Sequence, residues 1–125
     1  MIFGVGIDII EVERIQKELS KEGERFKARV FTKNEIEYCE PKATKAQHYA
    51  ARFAAKEAFF KAMGSGWSKG FAWTEIETAK NEEGKPYLIT SGKVKEFLKQ
   101  NKVSNIQISL SHIKETATAI VILES

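Results

Sequence analysis

The sequence predicts an α+β fold: a compact single domain over residues 1–125, with a mainly antiparallel sheet wrapped around one long helix. Three observations predict it. Segments near both ends alternate apolar with other residues at a period of two, as half-buried strands do. A long helical stretch runs between a capping signal at Thr44 and a glycine at Gly64. No regular strand–helix–strand alternation appears, so nothing demands a parallel sheet.

Each element follows from local signals. From Ile2 to Ile10, residues Phe3, Val5, Ile7 and Ile9 point one way and Gly4, Gly6 and Asp8 the other. Asp8 therefore ends a strand on a face cleared by two glycines. Val12, Ile15 and Leu19 predict a short amphipathic helix stopping near Gly23. Thr32-Lys33-Asn34-Glu35 reads as a capping box for a second short helix ended by Pro41, and Thr44-Lys45-Ala46-Gln47 as another for the long one. After Gly64-Ser65-Gly66, a strand is expected from Trp73 to Ala79, a turn over Asn81–Pro86, and extended structure from Tyr87 to Ile89. Val94, Phe97 and Leu98 mark another helix before Asn101. Ile106–Ser111 and Ala117–Leu123 predict a closing hairpin.

Composition narrows the function classes. At 125 residues, 42% hydrophobic and 30% charged, the chain is neither disordered nor fibrous. A net charge of +3 permits an acidic partner without announcing nucleic acid. The single Cys39 excludes an internal disulfide framework and suits a reducing, cytoplasmic setting. The apolar opening lacks a basic flank and meets Asp8 at once, so no secretory signal is expected. No run approaches the roughly 20 apolar residues of a membrane span. With one Cys and only His48 and His112, no zinc set of ordinary spacing can be assembled.

The long helix carries the chemistry. Ala46, Ala50, Phe53, Ala54, Glu57 and Lys61 share one arc, with Glu57 and Lys61 near its centre. Arg52 and Lys56 are interleaved with Phe59 and Met63 on the far side, leaving no plain solvated face. An ordinary explanation is a surface Glu-to-Lys pair four residues apart. The other is a site: Asp8 and Glu57 suit Mg2+, which takes one or two carboxylates and completes its shell with water and phosphate, while Lys61 acts as a point charge on that phosphate. Asp8 reads equally as a helix N-cap. Gly64-Ser65-Gly66 reads as a helix C-cap, and only weakly as a phosphate loop. His112, at a strand end, reads as a structural hydrogen bonder or a functional group.

Arg14, Lys17, Lys21 and Arg25 form one stripe if the helix survives Gly23, with Phe26 and Arg29 following. Interspersed glutamates make a solvated mixed-charge helix the ordinary reading; the alternative is a docking face for an acidic partner. A non-enzymatic basic module binding an acidic protein or RNA is the rival function, and it needs neither Asp8 nor Glu57.

Gly4-Val5-Gly6-Ile7-Asp8-Ile9, Phe31-Thr32-Lys33-Asn34-Glu35, Arg52-Phe53-Ala54-Ala55-Lys56-Glu57-Ala58-Phe59, Gly84-Lys85-Pro86 and Ser109-Leu110-Ser111-His112 occur in the order and spacing of a known family. Across essentially its whole length the chain resembles the holo-acyl-carrier-protein synthases, the small 4′-phosphopantetheinyl transferases of bacterial fatty-acid synthesis. The resemblance implies a phosphopantetheinyl-transferase-like fold and Mg2+-dependent transfer of 4′-phosphopantetheine from coenzyme A to a serine of an acidic acyl carrier protein, releasing adenosine 3′,5′-bisphosphate. It implies catalytic roles for Asp8, Glu57 and Lys61, with Asp8 and Glu57 as metal ligands and Lys61 on the pyrophosphate. Arg52, Gly64, Ser65, Gly66, Lys85, Pro86, Ser109, Ser111 and His112 match positions lining the coenzyme A site. Arg14, Arg25, Phe26 and Arg29 resemble the carrier-docking surface, on which the stripe also places Lys17 and Lys21. The sequence departs from the family pattern at Phe60, where a small or polar residue is frequent, and at Ile113, where a hydroxyl or acidic residue is. The base that takes the serine proton stays open among Glu57, a metal-bound water and a substrate phosphate oxygen. The resemblance also implies a homotrimer with active sites shared between chains. A long helix needing cover on both faces points the same way, because a chain this short has little surface with which to sheath it. No nucleic-acid or membrane partner is expected.

Overall fold

The computed structural model describes residues 1–64 and 70–125; the expected turn residues Ser65 and Gly66 lie outside them. Strand β1 (Ile2–Glu11) leads into helices α1 (Val12–Lys21), α2 (Glu24–Val30), α3 (Lys33–Cys39) and α4 (Lys45–Met63). A 3-10 turn (Trp73–Glu75), β2 (Ile76–Lys80), β3 (Pro86–Thr90), α5 (Gly92–Gln100), β4 (Asn105–His112) and β5 (Thr116–Glu124) complete the chain. All described strand pairings are antiparallel, in a β1-β5-β4 sheet and a β2-β3 hairpin. The expected α+β architecture around one long helix is what forms.

Helix α4 lies directly on the sheet because β1 offers it bare backbone. A Cβ on Gly4 would sit 1.9 Å from the Ala62 carbonyl oxygen, and one on Gly6 would sit 1.8 Å from that of Ala58. Both are far inside contact distance, so no residue with a side chain fits at this approach. Ala117, Ala119, Val121 and Leu123 of β5 complete the covered face. Phe26, Phe31, Tyr49, Phe53 and Phe59 fill the core on the helix's other side.

The alternation expected for β1 is present, yet it is the glycine face that is covered. Val5, Ile7 and Ile9 are 52%, 62% and 70% exposed. Val5 and Ile7 pair with Ile122 and Ile120 of β5, so the outer sheet face is apolar. This corrects the expectation that α4 needs a neighbouring chain to cover it. One chain already buries Arg52, Lys56, Phe59 and Met63, and the uncovered apolar surface belongs to the sheet.

Four local expectations change. Gly23, at φ 49°, breaks the chain between α1 and α2, so Arg14, Lys17, Lys21 and Arg25 do not share one continuous helix. Helix α2 itself is an element that the sequence reading lacked. Thr32 and Glu35 form the expected capping box, but Thr44 makes no side-chain cap bond. Its ψ of 47° departs from the extended cap geometry, and Gln47 is engaged with His112 instead. Trp73–Glu75 is a 3-10 turn in place of the start of a strand, closed by Glu75 Oε1 accepting from the Ala72 amide at 2.8 Å.

Candidate active site

Asp8 lies near the end of β1, and its backbone carbonyl accepts a bond from the Thr118 hydroxyl at 2.8 Å. Lys61, in the last turn of α4, donates to Asp8 Oδ1 at 3.2 Å and to the Ile7 carbonyl at 3.0 Å. Its side chain stays 55% exposed, whereas that of Asp8 is 15% exposed. Glu57, one turn before Lys61, is half-buried and has no hydrogen-bond partner among the described residues. Burial pushes its carboxyl above the ordinary value, and the negative charge of Asp8 adds to the push; Arg14 and Lys61 oppose it. Two carboxylates that repel across an open site, both hard oxygen donors, fit a divalent cation of the Mg2+ type. Among the described residues no cluster of three or more metal-ligating side chains occurs, so the rest of such a shell must come from water and ligand.

Beside Glu57 opens a cavity of about 340 Å3 between α1, α2 and α4. Phe53 and Trp73 form its aromatic wall, stacked at 5.0 Å between centroids. Arg14 lies over the Phe53 ring at 5.6 Å and Arg29 over Phe26 at 5.9 Å, so both guanidiniums border the cavity. Of the six expected docking residues, Arg14, Phe26 and Arg29 line it, while Lys17, Lys21 and Arg25 are exposed outside it. Lys17 is engaged with Glu13 at 3.4 Å.

A second polar group gathers at the N-terminal half of α4. Arg52 is buried over the Tyr38 ring at 4.1 Å, and its Nε has no hydrogen-bond partner among the described residues. Lys42 and Lys80 approach the same ring at 4.5 and 5.0 Å, and Lys80 donates to the Tyr38 hydroxyl at 2.7 Å. That bond draws the phenol's pKa below its ordinary value. His112 Nδ1 donates to Gln47 Oε1 at 3.0 Å, and its ring meets His48 edge-on at 5.3 Å. Burial and then the charge of His112 lower the pKa of His48. Two lysines and a buried guanidinium whose Nε is unpartnered among the described residues make this corner suited to an anion.

The other expected residues are dispersed within one chain. Gly64 is the left-handed C-cap of α4, at φ 85°. Lys85 and Pro86 belong to the β2–β3 turn and its exit, where Asn81 Oδ1 accepts from the Lys85 amide at 2.9 Å. Ser109 and Ser111 are exposed on β4, paired with Ile120 and Thr118. Neither set lines the cavity beside Glu57.

The family model described as the 4′-phosphopantetheinyl transferase superfamily (ACPS) matches residues 4–121. The chain belongs to this superfamily. It is similar to the holo-[acyl-carrier-protein] synthase of Ruminiclostridium cellulolyticum, 51% identical over 95% of this chain and 90% of the relative. The synthase of Solibacter usitatus is 44% identical over the full length of both. Among solved structures, the synthase of Neisseria meningitidis superposes with a TM-score of 0.92 at 31% identity, covering all of both chains. That of Bacillus anthracis, described in complex with CoA (3′,5′-ADP), superposes with a TM-score of 0.82 at 40% identity over 100% of this chain and 98% of that one. Membership makes the protein an enzyme of the holo-[acyl-carrier-protein] synthase group. The rival basic-module reading also loses its main support, since Gly23 divides the basic stripe.

Sequence reasoning missed Phe53 and Trp73 as cavity walls, and Tyr38, Lys42 and Lys80 around Arg52. Phe53 was visible one turn before Glu57 on the same arc. Trp73 and Lys80 come from the hairpin segment, whose placement no local pattern reveals.

Proposed function

We propose that the protein transfers 4′-phosphopantetheine from coenzyme A to a serine hydroxyl of an acidic acyl carrier protein, with Mg2+ as cofactor, in the cytoplasm as part of bacterial fatty-acid synthesis. The observation that carries this reading is the joining of Asp8, Glu57 and Lys61 to a cavity rimmed by Arg14 and Arg29. Phosphate chemistry and an acidic protein partner are thereby accommodated side by side.

Asp8 and Glu57 would hold the metal, which neutralises diphosphate charge when bound. Lys61 is exposed enough to exchange part of its contact with Asp8 for a phosphate oxygen. Arg14 and Arg29 steer the acidic carrier and orient its serine toward Glu57. The serine hydroxyl gives its proton to a neighbouring base as its oxygen bonds the phosphorus bearing pantetheine, and that phosphorus releases the bridging oxygen with adenosine 3′,5′-bisphosphate. The Arg52–Lys42–Lys80–His112 corner is assigned to the remaining phosphate of coenzyme A, which would give the orphaned Arg52 Nε a partner.

A closed homotrimer fits the apolar outer face of β1 and β5. Ser109 and Ser111 share that outer face, so a neighbour seated on it brings these serines to a subunit boundary. In this reading coenzyme A lies between chains, which accounts for the dispersal of Lys85, Pro86, Ser109 and Ser111 within one.

The test incubates the protein with coenzyme A, Mg2+ and an apo carrier protein and reads the carrier's mass. A phosphopantetheine increment is expected only when all are present; no increment with any acyl carrier protein would sink the reading. Sedimentation of a fully active monomer at assay concentration would end the trimer assignment.

A further inference from the structure

Tyr38, on α3, is the hub of the cationic corner, and it lies outside every motif that carries the family resemblance. Three cations gather on its ring: Arg52 at 4.1 Å, Lys42 at 4.5 Å and Lys80 at 5.0 Å from the centroid. Among the described residues none of the three forms an ion pair with a carboxylate. Like charges around one ring repel, and burial of Arg52 removes water that would screen them. What holds them is Tyr38 itself. The face of its ring attracts cations through its quadrupole, and its hydroxyl accepts from Lys80 at 2.7 Å.

This way of holding a cation leaves its donors unspent. A carboxylate would take up N–H groups of Arg52, whereas a ring face uses none of them. Arg52 is only 2% exposed, yet its Nε has no hydrogen-bond partner among the described residues. One turn further along α4, Lys56 shows the opposite arrangement. Its ammonium donates to Glu35 at 2.8 Å and to the carbonyls of Trp73 and Ile76, so its donors are consumed. Tyr38 also backs the histidine pair, since His48 meets it edge-on at 5.8 Å and meets His112 edge-on at 5.3 Å. A terminal phosphate, with roughly two negative charges and three acceptor oxygens, matches cations held with donors in reserve.

We propose that Tyr38 is a positioning residue that holds Arg52 and Lys80 with their donors free, and that it thereby sets the preference of this corner for a nucleotide bearing a 3′-phosphate over one without it. The proposal rests on the assignment above of this corner to the remaining phosphate of coenzyme A, its 3′-phosphate.

Calorimetry in the presence of Mg2+ gives Kd for adenosine 3′,5′-bisphosphate and for adenosine 5′-monophosphate, which differ only in that phosphate. The parent should bind the bisphosphate more tightly. Tyr38→Leu should weaken the bisphosphate about tenfold and the monophosphate less than about twofold. Tyr38→Phe keeps the ring over Arg52 but drops the Lys80 tether, and should weaken the bisphosphate only about two- to threefold. A general loosening of the fold would instead weaken both nucleotides alike. If Tyr38→Leu does not fold by circular dichroism, Tyr38→Gln, a polar helix former suited to this half-buried position, takes its place. A parental preference in the variant lacking the ring, or equal losses for both nucleotides, would overturn the role of Tyr38 alone. Parental affinity in Tyr38→Phe would remove the Lys80 tether. A parent that binds both nucleotides equally would remove the phosphate assignment and the proposal with it. A parent that prefers the bisphosphate yet transfers nothing to any carrier would fail the transfer reading and leave the proposal standing.

Discussion

Lys56 and Lys61 stand five residues apart on one helix, each beside a carboxylate, and their surroundings are opposites. The Lys56–Glu35 pair itself is fully answered by protein, with a carboxylate and two carbonyls on the ammonium and two backbone amides on the carboxylate. Around Lys61 the set is unfinished. Asp8 and the Ile7 carbonyl take part of its capacity, more than half of the side chain meets solvent, and Glu57 alongside has no hydrogen-bond partner among the described residues. The difference follows from desolvation. A fully buried pair persists only if all of its polar atoms are satisfied. An open pair is cheap to leave incomplete. What the helix separates is finished from unfinished polar groups, and a phosphate or metal ion can complete only the second kind.

The largest effect should come from breaking the finished set. Lys56→Met leaves Glu35 buried without its counter-ion and should cost about 3–5 kcal/mol in urea denaturation. Lys61→Met should cost no more than about 1 kcal/mol, yet lose transfer activity. A Lys56→Met protein as stable as the parent would erase the contrast.

The unfinished set is sharpened by Glu57→Gln and Asp8→Asn. Each should lower kcat/KM by about 10²–10³-fold with unchanged circular dichroism, as loss of one charge-stabilising group does. Parental turnover at limiting Mg2+ in both would remove the metal assignment. Gly6→Ala comes next. Its methyl would collide with the Ala58 carbonyl and push α4 from β1, destabilising the fold by about 1–3 kcal/mol. A weaker apparent Mg2+ affinity should accompany that loss, because Asp8 and Glu57 sit on the two separated elements.

The smallest effect is a pH signature of opposite sign at two glutamates. Glu40 accepts from Tyr49 at 2.6 Å and from Lys45 at 3.0 Å, which lowers its carboxyl from 4.5 to about 2. Its contribution is therefore present above 4.5 and lost as pH falls toward 2. Glu57, raised by burial, binds its proton more tightly when folded, so in metal-free protein its contribution is present at low pH and lost as pH rises through the raised value. Denaturation of Glu40→Gln and Glu57→Gln across this range should flatten the corresponding slopes. Parental slopes in both would refute the assignment.

Much of this was legible in the chain where the signal is local. The Thr32–Glu35 capping box, the Gly64 cap, the terminal hairpin and the glycine-cleared face of β1 each rest on a few adjacent residues. The approach of Asp8 to Lys61 was legible too, because strand and helix periods put each on a defined face. Long-range partners were hidden. Lys56 was visibly a charge in need of an answer, yet nothing in its own segment points to Glu35 or to the Trp73 carbonyl. Helix α2 was hidden because Gly23 and a highly charged run obscure its apolar period. Gln47 offered a cap to Thr44 on paper, but His112 claims it through the fold.

The contact of Gly4 and Gly6 with the carbonyls of Ala62 and Ala58 acts as a spacer gauge of zero thickness. Main chain touches main chain there, so the gap between the carboxylate-bearing strand and the carboxylate-bearing helix does not depend on the size of any side chain. Substitutions elsewhere in the core can swell or shrink the packing behind α4 without recalibrating that gap. The tolerance of the candidate site is thus machined into the backbone, which leaves the rest of the interior free to drift.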